Sequence, residues 1–291
     1  MSRHHYFLIS IFFFQNTLLW AEQTSDSPDA TTQQQLVLAP TSHIYSPYLA
    51  DQKRVTFGLQ LLYVADTDIP DTGSERFALR MGGRLELFQW QSESDPQQRL
   101  QANIEVGFRG HFDTSRSQDN IGWDGNYGLL FSYRANPILA WRFGLYHTSS
   151  HIGDEYAERT GRKRISYTRE EVLAGMQINL NPQWQYYLEA GYGYNTNDKP
   201  LQDFKRAQTG IQFQQSRFSS SKRLGWYAGL DLSSYEERDW DINKALQLGF
   251  AFAAAPHTWR LALDYYDGQS VISEFFQHHE RYVGLGLYLD I

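Results

Sequence analysis

Residues 99–113 read RLQANIEVGFRGHFD. Leu100, Ala102, Ile104, Val106, Phe108 and Phe112 alternate with Gln101, Asn103, Glu105, Arg109 and His111. The period is two, so one face of the segment is apolar and the other polar and charged, as a β-strand requires. The same pattern fills the chain from Val55 onward. Phe77, Leu79, Met81, Leu85 and Leu87 alternate with Arg80, Arg84 and Glu86. Trp184, Tyr186, Leu188, Ala190, Tyr192 and Tyr194 alternate with Gln185, Glu189 and Asn195. In the final RYVGLGLYLDI, Val283, Leu285, Leu287, Leu289 and Ile291 alternate with Tyr282, Gly284, Gly286, Tyr288 and Asp290.

Two all-β architectures alternate in this way. A soluble β-sandwich places its charges in water and needs shorter strands. Segments of about ten residues with tyrosine and tryptophan near their ends, repeated between turn signals, instead fit a transmembrane antiparallel β-barrel. Twelve strands are expected, at 55–65, 75–90, 98–113, 124–135, 138–150, 164–180, 184–195, 203–214, 222–235, 240–254, 257–266 and 278–291. Connections after even strands are mostly short, as at Asn136-Pro137, Asn181-Pro182 and Pro256. Those after odd strands are mostly longer, as in DTSRSQDNIGWDG and HIGDEYAERTGRK. Short periplasmic turns and long external loops are the asymmetry of such barrels, and an even count puts both ends in the periplasm.

The N-terminus suits that destination. MSRHHYFLISIFFFQNTLLWAEQ has a basic start at Arg3 and an apolar run from Tyr6 to Trp20. Gln15, Asn16 and Thr17 interrupt the run, leaving it too short for a membrane helix. Residues 1–21 are therefore expected to be a secretory signal peptide, with cleavage after Ala21 despite the bulky Leu19 at the −3 position. Residues 22–54 are expected to be a flexible periplasmic segment, and 55–291 the barrel. The chain has no cysteine, so an exported domain of this size must draw its stability from elsewhere, and a closed barrel supplies it. A net charge of −7 argues against nucleic acid as a partner. The expected partners are outer-membrane lipids and the barrel assembly machinery. The sequence names no cofactor.

Chemistry concentrates in LYHTSSHIGDEY, residues 145–156. Leu139, Trp141, Phe143 and Leu145 form the lipid-facing row of their strand. Counting by twos continues that row into His147, Ser149 and His151. His147 and Ser149 then share the outer face, about 7 Å apart along the strand. Ser150 and Thr148 face the lumen, where their loss is expected to matter little for activity. On the next strand Val172, Ala174, Met176, Ile178 and Leu180 face outward, and Glu170 joins them. Counted from the prolines of the two turns, Ser149 and Glu170 each stand twelve residues up, at one height. A serine attacks an ester when a histidine removes its proton and an acid fixes the histidine tautomer. The expected catalytic set is Ser149 as nucleophile, His147 as base and Glu170 as orienter. The bland alternative is a polar strand tip, and a bulge near Thr148 would turn the set inside out.

His-x-Ser on an outward strand of a twelve-stranded barrel resembles the outer-membrane phospholipase A family. It is also similar to the lipid A deacylase family, whose third member is a glutamate. Both resemblances imply hydrolysis of lipid esters at the outer leaflet. The chain departs from both: Gly161 stands where their third residue would fall, and Ser150 replaces the asparagine that usually follows the serine. The full run YHTSSHIGDEY, with ISYTRE downstream and SPYLADQKR upstream, is more similar to a bacterial domain-of-unknown-function family of outer-membrane proteins. That likeness spans most of the mature chain and implies no activity.

Two metal readings are weaker. Asp66, Asp68 and Asp71 in DTDIPDTG offer oxygen ligands but lack the distal bidentate glutamate of a calcium loop. His147 and His151 have the spacing of zinc ligands on a helix, not on a strand. Against the enzyme stands a non-enzymatic barrel, either a narrow solute pore or a structural surface protein. Arg80, Arg84, Glu86, Glu105, Arg109, Arg142, Glu189, Arg223, Asp231, Arg260 and Asp264 all count inward. Interleaved signs favour a mostly closed lumen, whereas a pore would need one sign at its constriction.

Overall fold

Alternation at period two closes one antiparallel sheet upon itself. The computed structural model describes residues 35–92, 95–196, 204–215, 224–254 and 257–290. The signal peptide, its cleavage site, residues 22–34, Arg223, Pro256 and Ile291 lie outside them. The strands are β1 (Gln35–Leu38), β2 (Phe57–Thr67), β3 (Glu75–Gln91), β4 (Arg99–Asp113), β5 (Asp119–Arg134), β6 (Leu139–Ile152) and β7 (Thr168–Asn179). They continue as β8 (Trp184–Thr196), β9 (Lys205–Gln214), β10 (Leu224–Tyr235), β11 (Ile242–Ala254), β12 (His257–Gln269) and β13 (His279–Asp290). Each strand from β2 onward pairs with the next, and β13 pairs with β2, so the twelve-stranded barrel has no free edge. The extra strand, β1, lies against Phe88–Gln91 of β3, beyond the start of β2.

The two faces carry the expected residues. Leu61, Leu85, Val106, Leu145, Leu248, Leu263 and Leu285 are exposed, whereas Arg80, Arg109, Arg142, Glu189, Arg260 and Asp264 are buried. This inverts the arrangement of a soluble protein, in which such leucines leave water and such charges stay in it. It is the arrangement of outer-membrane-type barrels, whose outward apolar band meets lipid. Exposed Trp141, Trp184, Trp226 and Trp259 mark the end with the short turns. Those turns are set by side chains: Asn136 Oδ1 accepts the N–H groups of Ile138 and Leu139, and Asn181 Oδ1 those of Gln183 and Trp184. Inward charges pair, with Arg76–Glu280 at 2.5 Å, Arg109–Asp124 at 2.9 Å and Arg206–Glu189 at 2.8 Å.

One expectation fails. Residues 43–54 are not a flexible periplasmic lead-in: they fill the turn end of the lumen. Ile44, Tyr45, Tyr48, Leu49, Ala50 and Gln52 are all buried. An irregular backbone inside a barrel needs partners for its polar groups, and inward glutamines supply them. Gln101 Oε1 accepts Ile44 N–H, Gln177 Oε1 accepts Ser46 N–H and Gln212 Oε1 accepts Leu49 N–H, at 2.9–3.0 Å. The same three amides donate back, to the carbonyls of Ser42, Ser46 and Pro47. Tyr48 stacks on Tyr187, with ring centroids 3.7 Å apart, and its hydroxyl donates to Glu189. Gln177→Leu is therefore expected to strand both polar groups of Ser46 and to cost about 1–3 kcal/mol. The check is a lower temperature at which the compact, fast-migrating band on a semi-native gel converts to the unfolded one.

The loop end is closed as well. A short helix, α1 (Asp154–Thr160), ends at Gly161, whose φ of 68° suits a residue without a side chain. Its Tyr156 packs with Ile69, Ile121, Ile152, Ile272 and Phe275 into an apolar cap. The loop from Ser270 to Phe276 folds into the barrel mouth, every residue buried. Glu274 takes the N–H groups of Ile165 and Tyr167, which explains why β7 begins at 168 and not at 164. Burial pushes the Glu274 carboxyl up, and those N–H groups oppose the shift.

Candidate functional site

The register of β6 is unbroken from Leu139 to Ser149 on β7 and from Ala140 to Ile152 on β5. No bulge intervenes at Thr148, so His147 and Ser149 lie on the outer row. Ser150 is fully buried inside. A bulge does occur between Glu170 and Glu171, but only in the pairing of β7 with β8. Glu170 thus stays on the outer face while Glu171 turns inward, where it meets Arg169 and Arg206.

Glu170 sits directly across from His147, and Ser149 across from Thr168. The acid is therefore level with the histidine and one outward position below the serine, not at the height of Ser149 as counting from the turns implied. The consequence favours chemistry, since His147 Nδ1 and Glu170 Oε1 lie 2.6 Å apart. Tyr127 of β5 is His147's partner on the other side, and their rings stack at 4.3 Å and 18°. Held by a carboxylate at one edge and an aromatic ring on one face, the imidazole has little freedom, and its side chain is only 14% exposed. Its Nε2 has no hydrogen bond among the described residues.

Ser149 faces Gly125 across β5. A methyl group added at Gly125 would sit 3.5 Å from Ser149 Oγ and 3.6 Å from the Trp123 ring. The glycine leaves a notch over the serine, walled by the Tyr127–His147 stack below and by a Trp123–His151 contact at 4.2 Å above. No hydrogen bond joins Ser149 to His147 among the described residues. Below the notch the outer surface is apolar, with Leu129, Phe143, Leu145 and Val172 exposed. Above it Arg164 Nη2 lies 3.4 Å from His151 Nε2. Trp123, Gly125, Tyr127 and Arg164 escaped sequence reasoning. The outward row of WDGNYG, two aromatics flanking a glycine, was the signal for three of them.

Ser150 proves structural. Its Oγ donates to Asp124 at 2.6 Å and accepts the N–H of Glu274 at 2.7 Å. Asp124 also takes the N–H and hydroxyl of Ser273, each at 2.9 Å. This buried network ties the cap loop to the barrel wall, so Ser150 has a role in stability apart from any in activity. Thr148 faces inward and accepts from Asn126 at 2.8 Å. The aspartates of DTDIPDTG engage separate partners: Asp66 faces Arg281, Asp68 binds His278 and His279, and the Asp71 carbonyl accepts from Arg159. No group of three or more histidines and carboxylates is arranged for a metal ion among the described residues.

Fold and surface together define an outer-membrane-type β-barrel. The chain belongs to the family described as Protein of unknown function (DUF1207), whose model matches residues 21–290. No curated protein matches it in sequence. Among solved structures it is similar to outer membrane phospholipase A from Escherichia coli, at 13% identity and a TM-score of 0.53, covering 81% of this chain and 92% of that one. It is similar also to the calcium-bound phospholipase dimer from Salmonella typhi, at 14% identity and 0.54, covering 81% and 90%. The CymD monoaromatic hydrocarbon channel matches at 9% identity and 0.40, covering 80% and 87%. At these identities the likeness is one of fold.

Proposed function

We propose that the protein is an outer-membrane hydrolase of lipid ester bonds. The observation that carries this reading is the His147–Glu170 pair, 2.6 Å apart on the lipid-facing side, with Ser149 next along the same row. In the outer membrane the loop end faces outward, and the notch lies where acyl chains give way to headgroups. Export by the N-terminal signal peptide and insertion by the barrel assembly machinery belong to the same reading.

A lipid lying against Phe143 and Leu145 would present its ester to Ser149. Ser149 Oγ attacks the carbonyl carbon while its proton passes to His147 Nε2. Glu170 holds the other ring nitrogen as N–H, which fixes the tautomer and stabilises the imidazolium that forms. The proton then moves to the departing alkoxide, leaving an acyl-serine. Water, deprotonated by His147, cleaves that ester and releases the fatty acid. The resemblance to outer membrane phospholipase A agrees in fold.

Purified protein in detergent is expected to release fatty acid from phospholipid or lipid A. Glu170→Gln should lower turnover about 10²- to 10⁴-fold, as loss of the tautomer-fixing acid does elsewhere. Wild-type protein inert on every outer-leaflet lipid would leave the non-enzymatic barrel as the better reading.

A further inference from the structure

We propose that Arg164, with the charge of Lys163 beside it in sequence, binds the phosphate of the lipid at this site, so that its substrate is a phosphate-bearing lipid. The inference rests on the hydrolase reading for the word substrate, but its binding test does not.

The argument begins with charge. Most arginines of the lumen are spent on carboxylates, as in Arg76–Glu280, Arg109–Asp124 and Arg206–Glu189, while buried Arg80 donates to Gln52 and lies over the Tyr288 ring. On the loop before β7, Arg159 pairs with Asp119, and Arg162 donates to His278 while lying over the Phe275 ring. Lys163 and Arg164 differ. Both are exposed, and neither has a carboxylate partner at ion-pair distance among the described residues. Glu274 acts on Arg164 only at longer range. Among the described residues the Arg164 guanidinium has a polar contact with His151, on the outer row of β6.

Height then selects the ligand. From the turn end upward, that row reads Phe143, Leu145, His147, Ser149, His151, with Arg164 above. The order is apolar surface, base, nucleophile, cation. A membrane lipid has the same order, in acyl chain, ester and phosphate, and its phosphate stands a few bonds above the ester. With an ester at Ser149, the phosphate falls beside His151 and Arg164. A guanidinium binds phosphate through paired N–H donors, and at the edge of an apolar belt it is less screened than in open water. Neutral glycerides offer that position nothing.

Ser149→Ala protein in nonionic detergent separates binding from turnover. Native mass spectrometry with phosphatidic acid, lipid A and a diacylglycerol of matched chains should show binding of a phosphate lipid about tenfold tighter than of diacylglycerol. Preference for lipid A over phosphatidic acid would assign a glycolipid phosphate, and the reverse a glycerophospholipid. Arg164→Gln with Lys163→Gln should erase the difference, and in wild-type background raise KM for the phosphate lipid about tenfold with little change in kcat. Equal binding of all three lipids, or a preference that survives the double substitution, would overturn the proposal. Headgroup-dependent binding without hydrolysis by the wild type would support phosphate recognition and sink the enzyme instead.

Discussion

Deleting residues 43–54 is expected to convert an electrically quiet barrel into a conducting one. The segment is the packing of the turn end, and beyond it remains a polar cavity of about 170 Å³, reaching toward the cap and lined by Arg109, Thr148, Arg169 and Asp231 among others. The wall should survive the loss, because its hydrogen-bond ladder closes without the segment. The freed groups include the amides of Gln101, Gln177 and Gln212, the carboxylates of Glu86, Glu189 and Asp290, and the guanidinium groups of Arg80 and Arg84, all of which water can satisfy. The cap still obstructs the loop end, so brief openings are expected from the deletion alone. Adding Asp124→Ala removes the anchor of Ser150 and Ser273 and should lengthen them. Planar-bilayer recordings check both steps. A double variant that folds, as judged by gel migration, yet carries no current would show that the wall itself fills the lumen.

The second large effect separates two adjacent serines. Ser149→Ala is expected to abolish fatty-acid release, a loss of about 10³-fold or more, and to leave thermal stability unchanged. Its hydroxyl makes no hydrogen bond among the described residues, so the fold loses nothing with it. Ser150→Ala should do the opposite. It leaves Asp124 and the Glu274 N–H each short of a partner in a site without solvent, costing about 1–3 kcal/mol. The cap loop around Ile272 to Phe276 should then become open to protease, while turnover falls far less. Equal losses of turnover at both positions would contradict the outward placement of Ser149. Gly125→Ala adds a graded control: the methyl group fits at 3.5 Å from Ser149 Oγ without strain but fills the notch that the ester must enter.

How much of this was legible beforehand follows from the range of the forces involved. Period-two alternation is a property of neighbouring residues, so the faces of His147, Ser149 and Glu170 could be counted, and the structure keeps all three outward. Counting heights from distant turns was less secure, because register is set by pairing across strands. It misplaced Glu170 by one outward position. The cap was written faintly in SVISEFFQ, where Val271, Ile272, Phe275 and Phe276 are too apolar for a loop in water.

The plug left almost no mark. SPYLADQKR has no period, because apart from a turn from Arg54 N–H to the Asp51 carbonyl its backbone bonds go mainly to inward side chains. They go to Gln177 and Gln212, 131 and 163 residues away along the chain. By itself the sequence determined the barrel class, the order of the barrel strands and which side chains face outward, since each depends on local alternation and on a sheet that must close. Tertiary structure alone decided that His147 lies against both Glu170 and Tyr127, that Ser150 holds a cap and that residues 43–54 of the chain itself close the turn end of the lumen. Those depend on which distant groups must satisfy one another once water is excluded.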